Sequence, residues 1–163
     1  MPELASPSLM ARALRFLSRR EHSRQELRKK LLPHAAERLS DLDDLLDRLE
    51  KESWLSNERY AEGLVRRKSE RYGSLRIIDE LKQQSISTDT INRLKETLKK
   101  TEGDRAWALW SRKYAEVIAL DPKEKSKQVR YLVSKGFPLD LVIKITAGRY
   151  KPLLSAFDDE DHP

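Results

Sequence analysis

The sequence predicts an all-α protein that forms an elongated, curved array of three tandem three-helix repeats. Only 5 glycines and 7 prolines occur among 163 residues, which is too few for a turn-rich β architecture. Helix start and stop signals recur about every 45 residues, and a unit of that size buries too little surface to be stable alone. Charged residues make up 37% of the chain, so each repeat has less core than an ordinary globule has. These observations favour an extended body whose repeats stabilise one another.

The first predicted repeat spans residues 6–55 and contains three helix-start signals. Ser6 with Pro7 gives an N-cap followed by proline at the first helical position. Ser23 with Glu26 forms a capping box, in which the two side chains accept hydrogen bonds from backbone amides. The predicted helices run from Ser6 to about Arg20, from Ser23 to Pro33, which is expected to stop the helix, and from Ser40 to about Lys51.

The second predicted repeat spans residues 56–102 and has the same three-helix pattern. Its last helix is expected to end at Gly103, because glycine readily adopts the left-handed conformation that follows a helix end. The predicted start and stop residues are Ser56, Tyr72-Gly73, Ser74, Ile86-Ser87 and Gly103. The apolar residues expected to face the core are Tyr60, Ala61, Leu64, Val65, Ile77, Ile78, Leu81, Ile91, Leu94 and Leu98.

The third predicted repeat spans residues 103–150. Its second helix has a strong start signal, because Asp121 is an N-cap residue, Pro122 follows it, and Glu124 is expected to complete the cap. The other predicted boundaries are Asp104 for the first helix, Gly136 for the end of the second, and Phe137-Pro138 and Gly148 for the third. Residues 151–163 are predicted to form a disordered acidic tail, with acidic side chains at Asp158, Asp159, Glu160 and Asp161.

Three aromatic residues lie on one face of the first helix of the third repeat. Trp107, Trp110 and Tyr114 are spaced three and four residues apart, which places them on one stripe. Such rings can stack on nucleic-acid bases. The spacing favours the alternative that they form part of the core.

The sequence offers little support for catalysis. His22, His34 and His162 are scattered and are interpreted as solvated surface residues, with metal binding or acid–base chemistry as the alternative. The chain has no cysteine, phosphate-binding glycine loop or nucleophile elbow. The carboxylates Asp41, Asp43, Asp44 and Asp47 could bind a divalent cation, but a helix N-terminus accounts for the first three. The sequence therefore predicts no enzyme, no catalytic or metal-binding residue and no cofactor.

The overall charge and hydropathy indicate the class of partner and the compartment. The formal net charge is +6 and the isoelectric point is near 9.5, which is compatible with an anionic partner. No signal peptide and no apolar run long enough to cross a membrane is evident. We therefore expect a cytoplasmic protein.

Eight basic residues are predicted to contact an anionic partner. Lys123, Lys127 and Arg130 lie along one helix edge, which is expected to stay unneutralised because Glu124 serves as a cap. The other predicted contact residues are Arg24, Arg28 and Lys29 on one short helix, and Arg66 and Arg67. Glu62 and Glu70 flank Arg66 at a spacing of four residues, and Glu80 follows Arg76 by four residues. The alternative interpretation is that these glutamates neutralise Arg66 and Arg76, which would then form an ordinary solvated surface.

Three blocks of residues carry a resemblance to a known family. They are Ala13-Leu14-Arg15, Arg20-Glu21-His22-Ser23, Glu26-Leu27 and Leu31-Leu32; Leu55 to Glu62, Arg66-Arg67, Tyr72-Gly73, Arg76-Ile77 and Glu80-Leu81; and Lys123, Arg130-Tyr131-Leu132 and Lys135-Gly136-Phe137. In this order and spacing they resemble the RecX family of bacterial recombination regulators. The resemblance extends over residues 9–147, and two turns depart from the family pattern: Gln84-Ser85 stands where Lys-Gly is usual, and residues 33–39 replace the corresponding turn of the first repeat.

The resemblance implies a non-enzymatic protein of three tandem three-helix repeats that binds the RecA recombinase. We also expect the protein to be a monomer. Members of the family lodge in the helical groove of the RecA filament on single-stranded DNA. There they limit filament growth, ATP hydrolysis, strand exchange and co-protease activity. A weak direct contact with DNA is also expected. The main alternative is a helix-turn-helix-like protein that binds DNA alone, because the second and third helices of each repeat are joined by a short turn; a passive scaffold is a third.

Overall fold

The computed structural model describes residues 6–153, and these residues form eight α-helices without a β-strand. The all-α prediction is therefore confirmed. The elongated, curved arrangement stays a prediction. The helices are α1 (Leu9–Arg19), α2 (Arg24–Ala35), α3 (Leu39–Lys51), α4 (Asn57–Lys68), α5 (Ser74–Gln83), α6 (Thr88–Tyr114), α7 (Pro122–Ser134) and α8 (Leu139–Thr146). The acidic run 158–161 and His162 lie outside the described residues.

The helix boundaries follow several of the predicted signals. The hydroxyl of Ser23 accepts from the amide of Glu26 at 3.0 Å, and that of Ser56 accepts from the amide of Arg59 at 3.1 Å. The carboxylate of Asp121 accepts from the amide of Lys123 at 3.2 Å. Gly136 and Gly148 both have positive φ, as expected past a helix end.

Two boundaries in the first repeat were predicted wrongly. The N-cap of α1 is Ser8, whose hydroxyl accepts from the amide of Ala11 at 3.1 Å, so the helix begins later than Ser6-Pro7 suggests. Pro33 does not stop α2, which continues to Ala35. Ala35 is buried in the core of α1–α3, and this burial favours two more helical residues although Pro33 has no amide hydrogen to donate.

The predicted break at Gly103 is also wrong, because α6 runs through it as one helix of 27 residues. A Cβ atom at Gly103 would lie 2.3 Å from the hydroxyl oxygen of Tyr150. Tyr150 donates a hydrogen bond to Asp104 Oδ1 at 2.6 Å, so Asp104 binds a side chain instead of capping a helix. Burial and this hydrogen bond raise the pKa of Tyr150 to about 12. The glycine provides room for an aromatic ring and does not end the helix.

Glu102 caps α5 from a distance of 28 residues in sequence. Its side chain is only 7% exposed, and Oε1 accepts from both the amide and the hydroxyl of Ser74. A carboxylate is stabilised at a helix N-terminus, where amides lack acceptors and the helix dipole is positive. Ser74 was expected to be the cap, but it donates its hydroxyl to Glu102.

The chain divides into two compact units. The first contains the residues up to Gly63 together with Leu81–Thr90, and the second contains Leu64–Glu80 together with the residues from Ile91 onward. The second predicted repeat therefore contributes residues to both units. The first unit has its core between α1, α2 and α3. The buried residues of this core are Ala13, Leu27, Leu31, Ala35, Leu42, Leu46, Leu49 and Leu55.

The core of the second unit confirms the interpretation of the aromatic stripe. Trp110 is 3% exposed, and Trp107 and Tyr114 pack partly buried against the same core. The indole Nε1 of Trp110 donates to Gln128 Oε1 at 2.9 Å, and Gln128 Nε2 donates to the carbonyl of Val117 at 2.9 Å. The indole and the buried amide thus satisfy each other.

His22 is not the solvated residue that the sequence suggested. It is 1% exposed, and its ring packs near Phe16 in the first unit. Lys30 Nζ lies 2.9 Å from Nε2, and the carbonyl of Arg20 lies 3.0 Å from Nδ1. Because an ammonium only donates, Nε2 accepts and the proton is on Nδ1. Burial lowers the pKa of His22, so the neutral ring is the stable form.

Candidate partner-binding surfaces

The predicted basic edge of α7 is present and solvent-exposed. Lys123, Lys127 and Arg130 all lie on the exposed side of the helix. However, Lys127 Nζ pairs with Glu124 Oε1 at 3.2 Å, because Asp121 makes the cap and leaves Glu124 available. The expectation of an unneutralised edge is therefore wrong at Lys127. The pair is about half exposed, so it is worth only a few tenths of a kcal/mol.

A groove lies beside this edge between α7 and α8. Its volume is about 670 Å³. Pro122, Val129 and Ile143 give it apolar walls, and Arg130 stands at its rim. The α7 edge can therefore offer apolar contact as well as positive charge.

The basic residues of α2 mostly face the carboxylates of α3 in the first unit. Arg24 Nη1 lies 2.7 Å from Asp47 Oδ1 and 3.2 Å from Glu50 Oε1. Arg28 Nε lies 2.9 Å from Asp43 Oδ1. Burial lowers the pKa of Arg24 and its hydrogen bonds to the Asp47 and Glu50 carboxylates raise it, so that the pKa is raised on balance. Of the predicted trio, Lys29 alone is exposed and outside these pairs.

Arg66 and Arg67 are exposed in the last turn of α4, where cations complement the helix dipole. The expected pair between Arg76 and Glu80 is not formed. Lys68 Nζ binds Glu80 Oε2 at 2.6 Å instead. The guanidinium of Arg76 lies over the ring of Tyr72, with Cζ 4.1 Å from the ring centroid.

This stacking is part of a surface that the sequence did not indicate, which we call the cation–tyrosine surface. It consists of Lys68, Tyr72, Arg76, Lys113, Tyr114, Tyr131 and Lys135, all in the second unit. Lys135 Nζ lies 5.5 Å from the centroid of Tyr72 and 5.6 Å from that of Tyr131. Lys113 Nζ, from α6, lies 4.0 Å from the centroid of Tyr131.

Tyrosine rings hold three of these cations, Arg76, Lys113 and Lys135, without neutralising them. A ring face attracts a cation by its quadrupole, typically by about 0.5–1 kcal/mol at exposed sites, and leaves the full positive charge available. Arg76, Lys113 and Lys135 form no ion pair with a carboxylate within residues 6–153. The Tyr114 and Tyr131 rings meet edge to face at 5.9 Å. The surface can therefore offer fixed cations and aromatic edges to an anionic partner.

Two glycines fix the backbone beneath this surface. The amide of Gly73 donates to the carbonyl of Lys135 at 2.8 Å, and the amide of Leu75 donates to the carbonyl of Gly136 at 3.1 Å. A Cβ atom on Gly73 would lie 2.3 Å from the carbonyl carbon of Gly136. Neither glycine leaves room for a larger residue, so we call this contact the Gly73–Gly136 joint. It brings Tyr72 next to Lys135.

The cation–tyrosine surface could not be found by the helical pattern. Tyr72 and Tyr131 each follow an arginine in sequence, but the cations closest to their ring centroids, Arg76 and Lys113, lie on other helices.

Within the described residues, no cluster of three or more potential metal ligands occurs. No helix among residues 6–153 is long and apolar enough to span a membrane.

Family models of the three RecX domains match the chain in order. The first three-helix domain matches residues 10–34, the second matches 56–93 and the third matches 101–145. The chain is 50% identical over 141 residues to Regulatory protein RecX of Ralstonia pickettii (strain 12J), which covers 86% of this chain and 87% of that protein. It is 46% identical over 156 residues to Regulatory protein RecX of Ralstonia nicotianae, covering 96% and 94%.

The fold also resembles a solved structure. The crystal structure of RecX from Lactobacillus salivarius superposes with a TM-score of 0.71 and covers 86% of this chain and 94% of that chain. The sequence identity is 20%, so this likeness concerns the fold alone.

Proposed function

Because this chain belongs to the RecX family of regulatory proteins, we propose that it binds the RecA filament on single-stranded DNA and limits its activity. In this proposal it occupies the groove of the filament and reduces filament growth, ATP hydrolysis, strand exchange and co-protease activity. The observation that carries the proposal is the match of all three RecX domain models, together with 50% identity to a protein named for regulation. It acts by binding, as a cytoplasmic monomer without a cofactor.

The charged surfaces support an anionic partner. A filament on DNA presents phosphates and acidic side chains in a regular repeat, so several weak contacts add through effective concentration. We assign the larger share of the attraction to the cation–tyrosine surface, the α7 edge and Arg66 with Arg67, where positive charge is least compensated. On α2, Lys29 is the most available of the predicted residues, and Arg24 and Arg28 are shared with α3.

The α7 edge gives the test of inhibition. Reversing three charges in K123E/K127E/R130E should weaken inhibition of DNA-dependent ATP hydrolysis by RecA by about tenfold, because each reversal replaces an attraction by a repulsion. The salt dependence of inhibition should become flatter. The variant K95E/K99E/K100E changes the same number of exposed charges on α6 and provides the control. Equal inhibition by the α7 variant and the unaltered protein would exclude this edge from the interface.

The alternative is a protein that binds DNA by itself. A weak direct contact with DNA is compatible with the cation–tyrosine surface, because phosphates and bases both suit it. Titration against duplex, single strand and preformed RecA filament in one buffer separates the two functions. We expect at least about tenfold tighter binding to the filament than to either DNA alone. Equal binding to naked duplex and filament would favour the DNA-binding alternative.

A further inference from the structure

A basic pocket in the second unit is not used by the surfaces described above. It lies between α6 and the end of α4 and has a volume of about 520 Å³. Its polar lining consists of Arg71, Arg105 and Arg112 with one carboxylate, that of Glu70, and its apolar lining consists of Ala108 and Leu109. Arg71, Arg112 and Glu70 are exposed. Three guanidinium groups against one carboxylate leave the pocket positive.

Arg105 is held by neutral groups. Its Nη1 donates to the carbonyls of Ser69 and Tyr72, both at 2.8 Å. Its Nε donates to Thr101 Oγ1 at 3.0 Å, and its Nη2 donates to the carbonyl of Leu98 at 3.2 Å. Within residues 6–153 the guanidinium forms no ion pair with a carboxylate. Burial lowers the pKa of Arg105, although the nearby charge of Glu102 acts in the opposite sense. An added anion would therefore stabilise this side chain.

The described chain ends close to this pocket. The amide of Leu153 donates to Asp104 Oδ1 at 3.2 Å, which fixes the last described residue against α6. Ala108, in the pocket, lies one turn further along the same helix, about 6 Å along its axis. Asp158 follows Leu153 by five residues, and five residues span at most about 17 Å. The acidic run 158–161 therefore begins within reach of the pocket.

We propose that the acidic run 158–161 of this chain binds in the Arg71/Arg105/Arg112 pocket. The carboxylates of the run pair with the exposed Arg71 and Arg112 and neutralise the field at Arg105. The apolar residues that precede the run, Leu154 and Phe157, match the apolar lining. The run then acts as an internal anion that competes with external anions for this pocket. This proposal does not depend on the identity of the RecA partner.

A paramagnetic label tests the contact in the full chain. The sequence has no cysteine, so H162C carries a spin label directly after the run, nine residues past the anchored Leu153. We expect broadening of the amide signals of Arg71, Arg105 and Arg112, and loss of this broadening in D158N/D159N/E160Q/D161N. The variant R71Q/R112Q should abolish it as well, whereas the control K99Q/K100Q, which removes two exposed cations elsewhere on α6, should retain it.

Binding of the oligonucleotide dT20 gives a second measurement. If the run occupies the pocket, neutralising its four carboxylates should tighten dT20 binding about fivefold at low salt, and R71Q/R112Q should remove most of this gain. Broadening that is absent, or that falls on Lys123 and Lys127 instead, would overturn the proposal. If broadening is absent and R71Q/R112Q weakens dT20 binding equally with either form of the run, the pocket is a site for nucleic-acid phosphate and the proposal is again overturned.

Discussion

The two units use their basic residues in different ways. In the first unit, Arg24 and Arg28 of α2 point at Asp43, Asp47 and Glu50 of α3, so positive charge is used to hold two helices together. In the second unit, cations rest on tyrosine rings, which attract them without cancelling their charge.

The difference shows that the density of Lys and Arg does not locate a binding surface. The basic residues of α2 were predicted to contact an anionic partner because several lie on one short stretch, whereas the sequence did not indicate the cation–tyrosine surface. What separates them is the residue type on the facing helix, which is acidic for α2 and aromatic for the cation–tyrosine surface. The predictions below test this distinction.

The largest expected effect comes from breaking the Gly73–Gly136 joint. Gly136 has φ of +97°, and a Cβ there would lie 2.5 Å from Cβ of Arg76. The variant G136A should therefore lose about 3 kcal/mol of unfolding free energy, from backbone strain and from steric overlap with a rigid neighbour. Urea unfolding followed by circular dichroism measures this loss.

Gly148 provides the matched control for that variant. It also has positive φ, of +72°, but its Cβ would meet the flexible end of the Ile118 side chain. We expect G148A to lose about 1 kcal/mol of unfolding free energy, which is the backbone strain of alanine at positive φ without the steric overlap. Equal losses in the two variants would show that the joint adds nothing beyond the conformation of one glycine.

The second effect concerns the cation–tyrosine surface directly. Reversing two stacked cations in R76E/K135E should weaken binding to the RecA filament about tenfold and reduce its salt dependence, because both charges are uncompensated. Fluorescence anisotropy with labelled filament measures the affinity. The double variant K99E/K100E has the same change in net charge and should bind within about twofold of the unaltered protein. A similar loss in both variants would indicate a general charge effect without a defined surface.

A smaller effect is expected for the paired arginines of the first unit. The variant R24Q/R28Q removes the ion pairs with α3 and should cost about 1 kcal/mol of stability, as expected for partly exposed pairs. Its affinity for the RecA filament should change less than about threefold. If binding falls tenfold while stability is unchanged, α2 belongs to the interface and the contrast between the units fails.

The smallest effect is the pH dependence of the first unit. Because burial lowers the pKa of His22 in the folded state, the neutral ring contributes stability above pH 6.5 that is lost as the pH falls toward the folded pKa. The groups facing the ring are Lys30, Arg20 and Glu26, and a protonated ring would meet the ammonium of Lys30.

The pH prediction is checked by urea unfolding between pH 7.5 and about 5.5, the range in which an unfolded histidine gains its proton. The stability of the unaltered protein should fall more steeply than that of H22N. His34, which is exposed, supplies the control variant H34N. Parallel curves for the unaltered protein and H22N would show that His22 does not couple protonation to folding.

Much of the helical order could be read from local signals. Ser23, Ser56 and Asp121 cap the helices that they were predicted to cap, because capping depends on residues within one turn. Ser85 takes φ of +54° at the turn where the family usually has glycine, so that turn keeps a left-handed residue without one. At these positions, residues close in sequence were sufficient to predict the helix boundary.

The errors have a different origin, since each involves a partner that is distant in sequence. Gly103 packs against Tyr150, Ser74 is bound by Glu102, and His22 is buried beside Lys30. The cation–tyrosine surface likewise combines side chains from α4, α5, α6 and α7 or from the residues that directly follow them. A periodic pattern identifies which face of a helix is buried, but it does not identify the residue of another helix that packs against that face.

The continuity of α6 limits how the protein can be dissected. A fragment starting at Asp104 would begin in mid-helix and leave amide groups without acceptors. The remaining piece would end at Gly103, so Glu102, which caps α5, would lie in the last turn of a cut helix. The third repeat is recognisable as a separate stretch of sequence, but its first helix is continuous with the last helix of the second repeat. A cut at the first residue of the third repeat would therefore destabilise both pieces.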